Sequence, residues 1–136
     1  MHEWALAEAV VSAADRTARE QGFSVITDIS LKLGQLQQIE EDIFEFALRE
    51  ILKTRRELYG QANIRIEEEK ASLKCRACGR EWDFSDNIRK LDHEKSEAIH
   101  FVPETAHSYI RCPGCKSPDF DILKGRGVWI ESITGE

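Results

Sequence analysis

Apolar residues recur along this chain at two spacings, and each spacing predicts a type of secondary structure. From Trp4 to Gln21 they fall three or four residues apart, which predicts an amphipathic helix that Gly22 ends. Alternation from Val25 to Leu33 predicts a strand with one buried face, on which Ile26 takes an outward position. The helical spacing returns from about Ile39 to Leu58 and predicts a second helix.

The elements after the first strand complete a small α+β fold. The second helix is expected to turn inward Ile39, Ile43, Phe46, Ala47, Ile51 and Leu58, a face widened by Phe44, Leu48 and Leu52. A strand follows at 62–66, and another at 122–130 is loosened or bulged by the Gly-rich residues 124–127. We predict two helices packed on a small mixed β-sheet, with a zinc-ribbon-like four-cysteine module inserted between two strands.

The composition changes at residue 70. The segment 70–120 holds all four cysteines, three of the four histidines and all three prolines. We therefore predict two domains: residues 1–69 with 121–136 form an α/β domain, and residues 70–120 form a metal-binding domain.

Charge and hydropathy exclude some function classes. The net charge of -6 disfavours a general nucleic-acid binder, which would carry a basic face. No apolar run predicts a membrane span or a secretion signal, so we expect a soluble, cytoplasmic protein. In that compartment, paired cysteines indicate a metal site rather than disulfides.

The cysteines form two zinc knuckles, Cys75-Arg-Ala-Cys78 and Cys112-Pro-Gly-Cys115. A two-residue spacing lets a tight turn direct both sulfurs at one ion, and Gly79 and Gly114 are expected to permit those turns. Iron in the same tetrahedron or a redox dithiol pair is the weaker alternative. A closed set of four thiolates favours structural Zn(II), with a small core around it: Trp82, Phe84, Phe101, Tyr109 and Phe120.

The first three residues, Met1-His2-Glu3, form a second candidate metal site. The terminal amine of Met1, the amide nitrogen of His2 and its imidazole Nδ1 can chelate one ion in a plane with a fourth corner open. A planar nitrogen set suits Ni(II) or Cu(II) better than Zn(II). The plainer interpretation is a frayed terminus with a surface histidine.

The spacer between the knuckles carries three histidines, which are candidates of unequal strength for the open corner or for none. His93 lies among charged residues and is interpreted as solvated. His100 lies in the apolar sequence Ile99-His100-Phe101, where an imidazole needs a partner. His100 could therefore fill the open corner of the chelate, with His107 as the weaker candidate.

Four segments together resemble the HypA/HybF family of hydrogenase nickel-incorporation proteins over essentially the whole chain. They are the start MHEWALAEAV, the central LKLGQLQQIEEDIFEFAL, the two knuckles and the closing KGRGVWIESI. The resemblance implies a nickel-binding α/β domain that carries a zinc-binding domain. It places the family's nickel-binding His and neighbouring Glu on His2 and Glu3, and supports His100 as a ligand.

The resemblance also implies a role and partners. They are delivery of Ni(II) to the large subunit of a [NiFe] hydrogenase and cooperation with a nucleotide-hydrolysing protein of the HypB type. We expect no membrane or nucleic-acid partner and a monomer or weak homodimer.

One departure from the family's pattern is Gln35, where the family usually has Glu after the first strand. No nucleophile or phosphate-binding motif predicts an enzyme, and the alternative function is a zinc-ribbon protein-interaction or nucleic-acid-associated module without a nickel role.

Overall fold

The computed structural model describes residues 2–88 and 91–136, and they form two compact units. The helical unit comprises the described residues of 1–33, 40–67 and 128–136. The cysteine unit comprises those of 34–39 and 68–127.

Helices and strands occur in both units. The described helices are α1 (His2–Gln21), α2 (Glu41–Lys53), α3 (Arg56–Tyr59), α4 (Ser85–Ile88), α5 (His93–Phe101) and α6 (Ala106–Tyr109). The described strands are β1 (Ile26–Gly34), β2 (Asn63–Glu69), β3 (Ser72–Cys75), β4 (Glu81–Asp83), β5 (Phe120–Lys124) and β6 (Val128–Gly135). This mixture confirms the predicted α+β class.

The first helix forms as predicted but begins two residues earlier, at His2. α1 packs against α2 and β6. Its buried residues lie on one side of the helix: Glu3, Ala7, Val10, Val11, Ala14 and Ala18. It ends at Gly22, whose φ of +72° is a conformation that glycine adopts without steric cost. In the part of the chain that the structure describes, neither this helix nor any other has the length and apolarity to cross a membrane.

The predicted second helix is two helices, because α2 ends at Lys53 and α3 begins at Arg56. The Thr54 hydroxyl donates to the carbonyl of Ile51 at 2.7 Å, which competes with the helical backbone, and Arg55 has φ -126° and ψ 44°. Continuous helix from about Ile39 to Leu58 was therefore wrong.

The inward face of α2 was also partly wrong. Ile43 and Phe46 are 40% and 60% exposed, whereas the buried face consists of Phe44, Ala47, Leu48 and Leu52. Those four residues share one stripe toward α1, and Phe46 instead meets the exposed Trp4 edge to face, with ring centroids 6.2 Å apart.

One three-stranded sheet has the order β2-β1-β6, with β1 and β6 antiparallel. Ile26 is fully buried, contrary to its predicted outward position. A register shift between Ile26 and Asp28 inserts a bulge, which changes the alternation at the start of β1.

The cysteine unit has its own sheet, in the order β4-β3-β5, and both of its strand pairs are antiparallel. A core packs against it, composed of Leu36, Ala71, Leu73, Cys75, Trp82, Phe84, Ile99, Ala106, Ile110, Cys112 and Phe120. Because Cys75 and Cys112 belong to this core, the metal site is continuous with the apolar packing of the unit. Trp82, Phe84 and Phe120 are buried as expected, whereas Phe101 and Tyr109 are 52% and 40% exposed.

The predicted strand at 122–130 is two strands in different sheets, because β5 pairs with β3 and β6 pairs with β1. The chain changes sheets at Gly125 and Gly127, whose φ angles are +90° and +74°. An added Cβ at Gly125 would collide with the backbone of Ala71, so the crossing requires glycine. Residues 34–39 and 121–127 group with the cysteine unit, a division that differs from the predicted boundaries at 69/70 and 120/121.

Candidate metal sites

The four cysteine side chains converge on one point. The Sγ atoms of Cys75, Cys78, Cys112 and Cys115 all lie within 4.8 Å of one another. The closest pairs are Cys75 with Cys115 at 3.5 Å and Cys78 with Cys112 at 3.6 Å. Zinc held by four thiolates at about 2.3 Å needs sulfur–sulfur separations of about 3.8 Å. The donor set and its spacing therefore fit tetrahedral Zn(II), as predicted.

Main-chain N–H groups stabilise the thiolates. The N–H of Cys78 lies 3.4 Å from Cys75 Sγ, and that of Gly114 lies 3.4 Å from Cys112 Sγ. The Cys78 N–H lowers the pKa of Cys75, while the N–H groups of Cys115 and Gly114 lower the pKa of Cys112 to about 6.

Crowding of the thiols has the opposite effect on the fourth sulfur. The N–H of Ser117 lowers the pKa of Cys115, but contacts with the other thiols and burial outweigh it and raise that pKa to about 11. Four thiolates at these distances need a cation to balance their charge. The electrostatics therefore favour a bound cation, in agreement with the geometry.

The two knuckles share a backbone pattern that differs from the predicted one. In each, the residue after the second cysteine donates its N–H to the carbonyl of the first: Gly79 to Cys75 at 3.0 Å, and Lys116 to Cys112 at 2.9 Å. Both donors have positive φ, +78° at Gly79 and 64° at Lys116. Gly114, expected to permit the second turn, is not among the positive-φ glycines; a Cβ there would lie 3.2 Å from Arg80 Cδ.

At the N-terminal site, Met1 lies outside the described residues, and His2 is the first residue of α1. The His2 amide precedes the first i→i−4 hydrogen bond of the helix, so a metal at this nitrogen would not interrupt the helical ladder. Glu3 is only 7% exposed, and its Oε2 accepts the N–H of Glu40 at 3.1 Å. Glu40 is the N-cap residue of α2, so the Glu3 carboxylate lies at the positive ends of two helices.

His100 lies in the last turn of α5, 7% exposed, and belongs to the cysteine unit. Its Nδ1 is 2.7 Å from the carbonyl oxygen of Gln37. The partner expected for an imidazole in this apolar sequence is therefore a main-chain carbonyl. His2 and Glu3 belong to the helical unit, and the use of all three residues on one ion remains a proposal.

The other two histidines have different surroundings. His93 is exposed at the start of α5, in agreement with its interpretation as solvated. His107 stacks on Phe120 at a centroid distance of 4.2 Å, and its Nδ1 lies 3.0 Å from the carbonyl oxygen of Pro118. These contacts give His107 a packing role beside the knuckles.

Sequence reasoning missed two buried glutamines near His100. Gln35 Oε1 accepts the N–H of Ala71 at 2.9 Å, and its Nε2 donates to Ser85 Oγ at 3.1 Å. Gln35, which stands where the family usually has Glu, therefore forms hydrogen bonds within the cysteine unit. Gln37 contacts His100 directly. Neither role has a local signal, because every partner is distant in sequence.

The fold and the four-thiolate site define the chain as an α+β metal-binding protein. A family model described as "Hydrogenase/urease nickel incorporation, metallochaperone, hypA" matches residues 1–135. The chain therefore belongs to the HypA family of nickel metallochaperones that act in hydrogenase maturation, which confirms the resemblance. No observation favours the alternative of a zinc-ribbon module without nickel.

Relatives and solved structures agree with this assignment. The hydrogenase maturation factor HypA of Pyrococcus abyssi is 46% identical over 134 residues, which cover 98% of this chain and 94% of the relative. That of Pyrococcus horikoshii is 44% identical over 133 residues, with coverage of 98% and 94%. The solution structure of the Ni metallochaperone HypA from Helicobacter pylori matches with a TM-score of 0.62 at 16% identity, covers 98% and 96% of the two chains, and supports the fold.

Proposed function

We propose that the chain binds Ni(II) at its N-terminus and delivers it to the large subunit of a [NiFe] hydrogenase. The ligands are the Met1 amine, the His2 amide nitrogen and imidazole, with Glu3 and His100 completing the set. The observation that carries the proposal is the start of α1 at His2, where an amide can lose its proton to a metal without breaking a helical hydrogen bond.

Glu3 offsets the charge of the helix ends. The positive end of α1 opposes a bound cation by roughly 0.3–1 kcal/mol, and the carboxylate reduces that penalty. Because Oε2 already accepts the Glu40 N–H, a direct bond from that oxygen to nickel would compete with this hydrogen bond. A hydrogen bond to a charged group contributes roughly 1.5–3 kcal/mol, so Glu3 favours a site of moderate affinity that can yield its ion.

The surroundings of the His100 ring support its participation as a ligand. Its Nδ1 lies 2.7 Å from the carbonyl oxygen of Gln37, and metal-binding histidines commonly make such a bond with the ring nitrogen that does not bind the metal.

The cysteine site has a separate role in this proposal. Cys75, Cys78, Cys112 and Cys115 hold Zn(II) in a closed set, in which the ion supplies structural cross-linking. Trp82 and Phe120 pack edge to face in the same core, at a centroid distance of 5.7 Å. The zinc site therefore stabilises the unit that presents His100.

Transfer is proposed to occur by ligand exchange. Donor atoms of the acceptor enter at the fourth corner, where they displace His100, and the chelate then releases one nitrogen at a time, without a catalysed reaction of its own. We propose a HypB-type nucleotide-hydrolysing protein as the partner at this step and the cytoplasm as the compartment, because reduced thiols persist there. The chain acts as a monomer or weak homodimer.

The test is nickel titration of untagged His2→Ala, with His93→Ala as the matched control because His93 is exposed and distant in sequence from the knuckles. We expect His2→Ala to lose specific nickel binding and keep its zinc, while His93→Ala keeps both. Residues added before Met1 should also weaken nickel binding, since they remove the terminal amine. Undiminished nickel uptake by His2→Ala would refute the proposed site.

A further inference from the structure

Gln37 contacts His100 at two points. Its main-chain carbonyl oxygen lies 2.7 Å from His100 Nδ1, and its side-chain Nε2 donates to the His100 carbonyl oxygen at 3.2 Å. Its Oε1 accepts the N–H of Gly127 at 2.5 Å. Gln37 is itself only 6% exposed, so these bonds form away from bulk water.

The first contact determines where the imidazole proton lies. A carbonyl oxygen can only accept a hydrogen bond, so Nδ1 of His100 must carry the hydrogen. In the neutral ring, the lone pair then belongs to Nε2. Metal-binding histidines commonly donate their other ring N–H to a carbonyl or carboxylate, which orients the ring and strengthens the ligand nitrogen.

The second contact holds the backbone of His100. The His100 carbonyl lies in the last turn of α5, where the helix supplies no N–H donor of its own, and the amide of Gln37 donates to it. The amide orientation is defined by its partners, because Oε1 faces an N–H and Nε2 faces a carbonyl. Ring and main chain of His100 are thus held by one residue.

We propose that Gln37 is a positioning residue of the nickel site: it keeps His100 in the Nδ1–H tautomer and so assigns Nε2 as the nitrogen that binds nickel. This inference rests on the proposed role of His100 as a nickel ligand. It adds the ligand atom, the tautomer and the residue that controls both.

The first experiment measures the tautomer and uses no variant. Two-bond ¹H–¹⁵N NMR spectra of the histidine rings, recorded on zinc-loaded and nickel-free protein, should show His100 with the proton on Nδ1. His93, which is exposed, serves as the internal reference. A His100 ring with its proton on Nε2 would overturn the positioning inference, whatever nickel does.

The second experiment compares Gln37→Met with Gln35→Met. Both substitutions remove a buried amide that bonds within the cysteine unit, but only Gln37 contacts His100. Gln37→Met keeps the main-chain carbonyl at the His100 ring but loses the two amide bonds, to the His100 carbonyl and from the Gly127 N–H, that hold this carbonyl in place. We expect the looser contact to give a mixed His100 tautomer and to weaken nickel binding on the order of tenfold, the range seen when partners of ligand histidines are lost. Gln35→Met should leave both unchanged, and zinc content checks the fold of each variant.

The role of Gln37 as a positioning residue and the role of His100 as a nickel ligand can fail independently. If Gln37→Met keeps the wild-type tautomer and nickel affinity, Gln37 is not a positioning residue. If His100→Ala binds nickel as tightly as wild type, His100 is not a ligand and the proposed function loses that residue. In that case an Nδ1–H tautomer in the wild-type spectrum would still support the hold of Gln37 on the ring.

Discussion

Lys116 has a backbone conformation that a lysine adopts at a cost. Its φ is 64°, and it occupies the position after the second cysteine of its knuckle, where the other knuckle has Gly79 at φ +78°. The left-handed region costs an L-residue roughly 1–2 kcal/mol relative to glycine. We expect Lys116→Gly to stabilise the cysteine unit.

The change in unfolding free energy on Lys116→Gly depends almost only on the backbone. Lys116 is exposed, so its removal loses little packing. Relief of about 1–2 kcal/mol is partly offset by roughly 0.5–1 kcal/mol, because glycine gains more freedom in the unfolded chain. The expected net stabilisation is about 0.5–1 kcal/mol. The reverse change, Gly79→Ala, should destabilise by roughly 1 kcal/mol, since its Cβ would meet no atom within 4 Å and only φ strain is added.

The assay is urea unfolding at a fixed zinc concentration, followed by the emission of Trp82. Trp82 is 6% exposed, whereas Trp4 and Trp129 are 39% and 42% exposed. Buried Trp82 therefore emits at the shortest wavelength, and a red shift of that emission reports unfolding of the cysteine unit. Lys116→Gly should raise the urea midpoint and Gly79→Ala should lower it, with unchanged slopes. A lower midpoint for Lys116→Gly would refute the reasoning about its backbone.

Two further changes test the two units separately. Tyr59→Phe should destabilise the helical unit by about 1–2 kcal/mol in urea, because the buried hydroxyl donates to Asp15 at 2.6 Å while Arg55 keeps its own ion pair with Asp15. Burial, followed by that hydrogen bond, raises the pKa of Tyr59 above its ordinary 10.0. The stabilisation by the Tyr59 hydroxyl is therefore complete below pH 10.0 and is lost as the pH rises further. The unfolding free energies of wild type and Tyr59→Phe should converge at high pH. Removal of zinc with a strong chelator should shift Trp82 emission to the red and leave most far-UV helical signal, since α1 and α2 pack on each other in the helical unit. Unchanged Trp82 emission would contradict the structural role of zinc.

The parts that sequence reasoning predicted correctly depend on short-range chemistry. A knuckle needs two cysteines three positions apart, and a helix end needs a glycine at one position, as at Gly22. Predictions failed where a distant contact decided the outcome. The outward position of Ile26 was lost to a bulge set by the pairing of β1 with β6, at the other end of the chain.

Amphipathic patterns also fail when one helix has more apolar residues than its neighbour can cover. α2 presents Phe44 and Leu48 to α1 and leaves Ile43 and Phe46 at the surface. Periodicity alone ranks these faces equally, because both repeat at helical spacing. The choice comes from the packing of α1, which no local window contains.

At the candidate nickel site, the surroundings of His100 were also predictable from the sequence only in part. Its apolar neighbours predicted that the imidazole needs a partner, and it has one in Gln37. The identity of that partner, 63 residues away, follows only from the fold. A requirement for satisfied hydrogen bonds can therefore be read from residue types. The tautomer, and with it the nitrogen offered to a metal, depends on which carbonyl the fold brings to the ring.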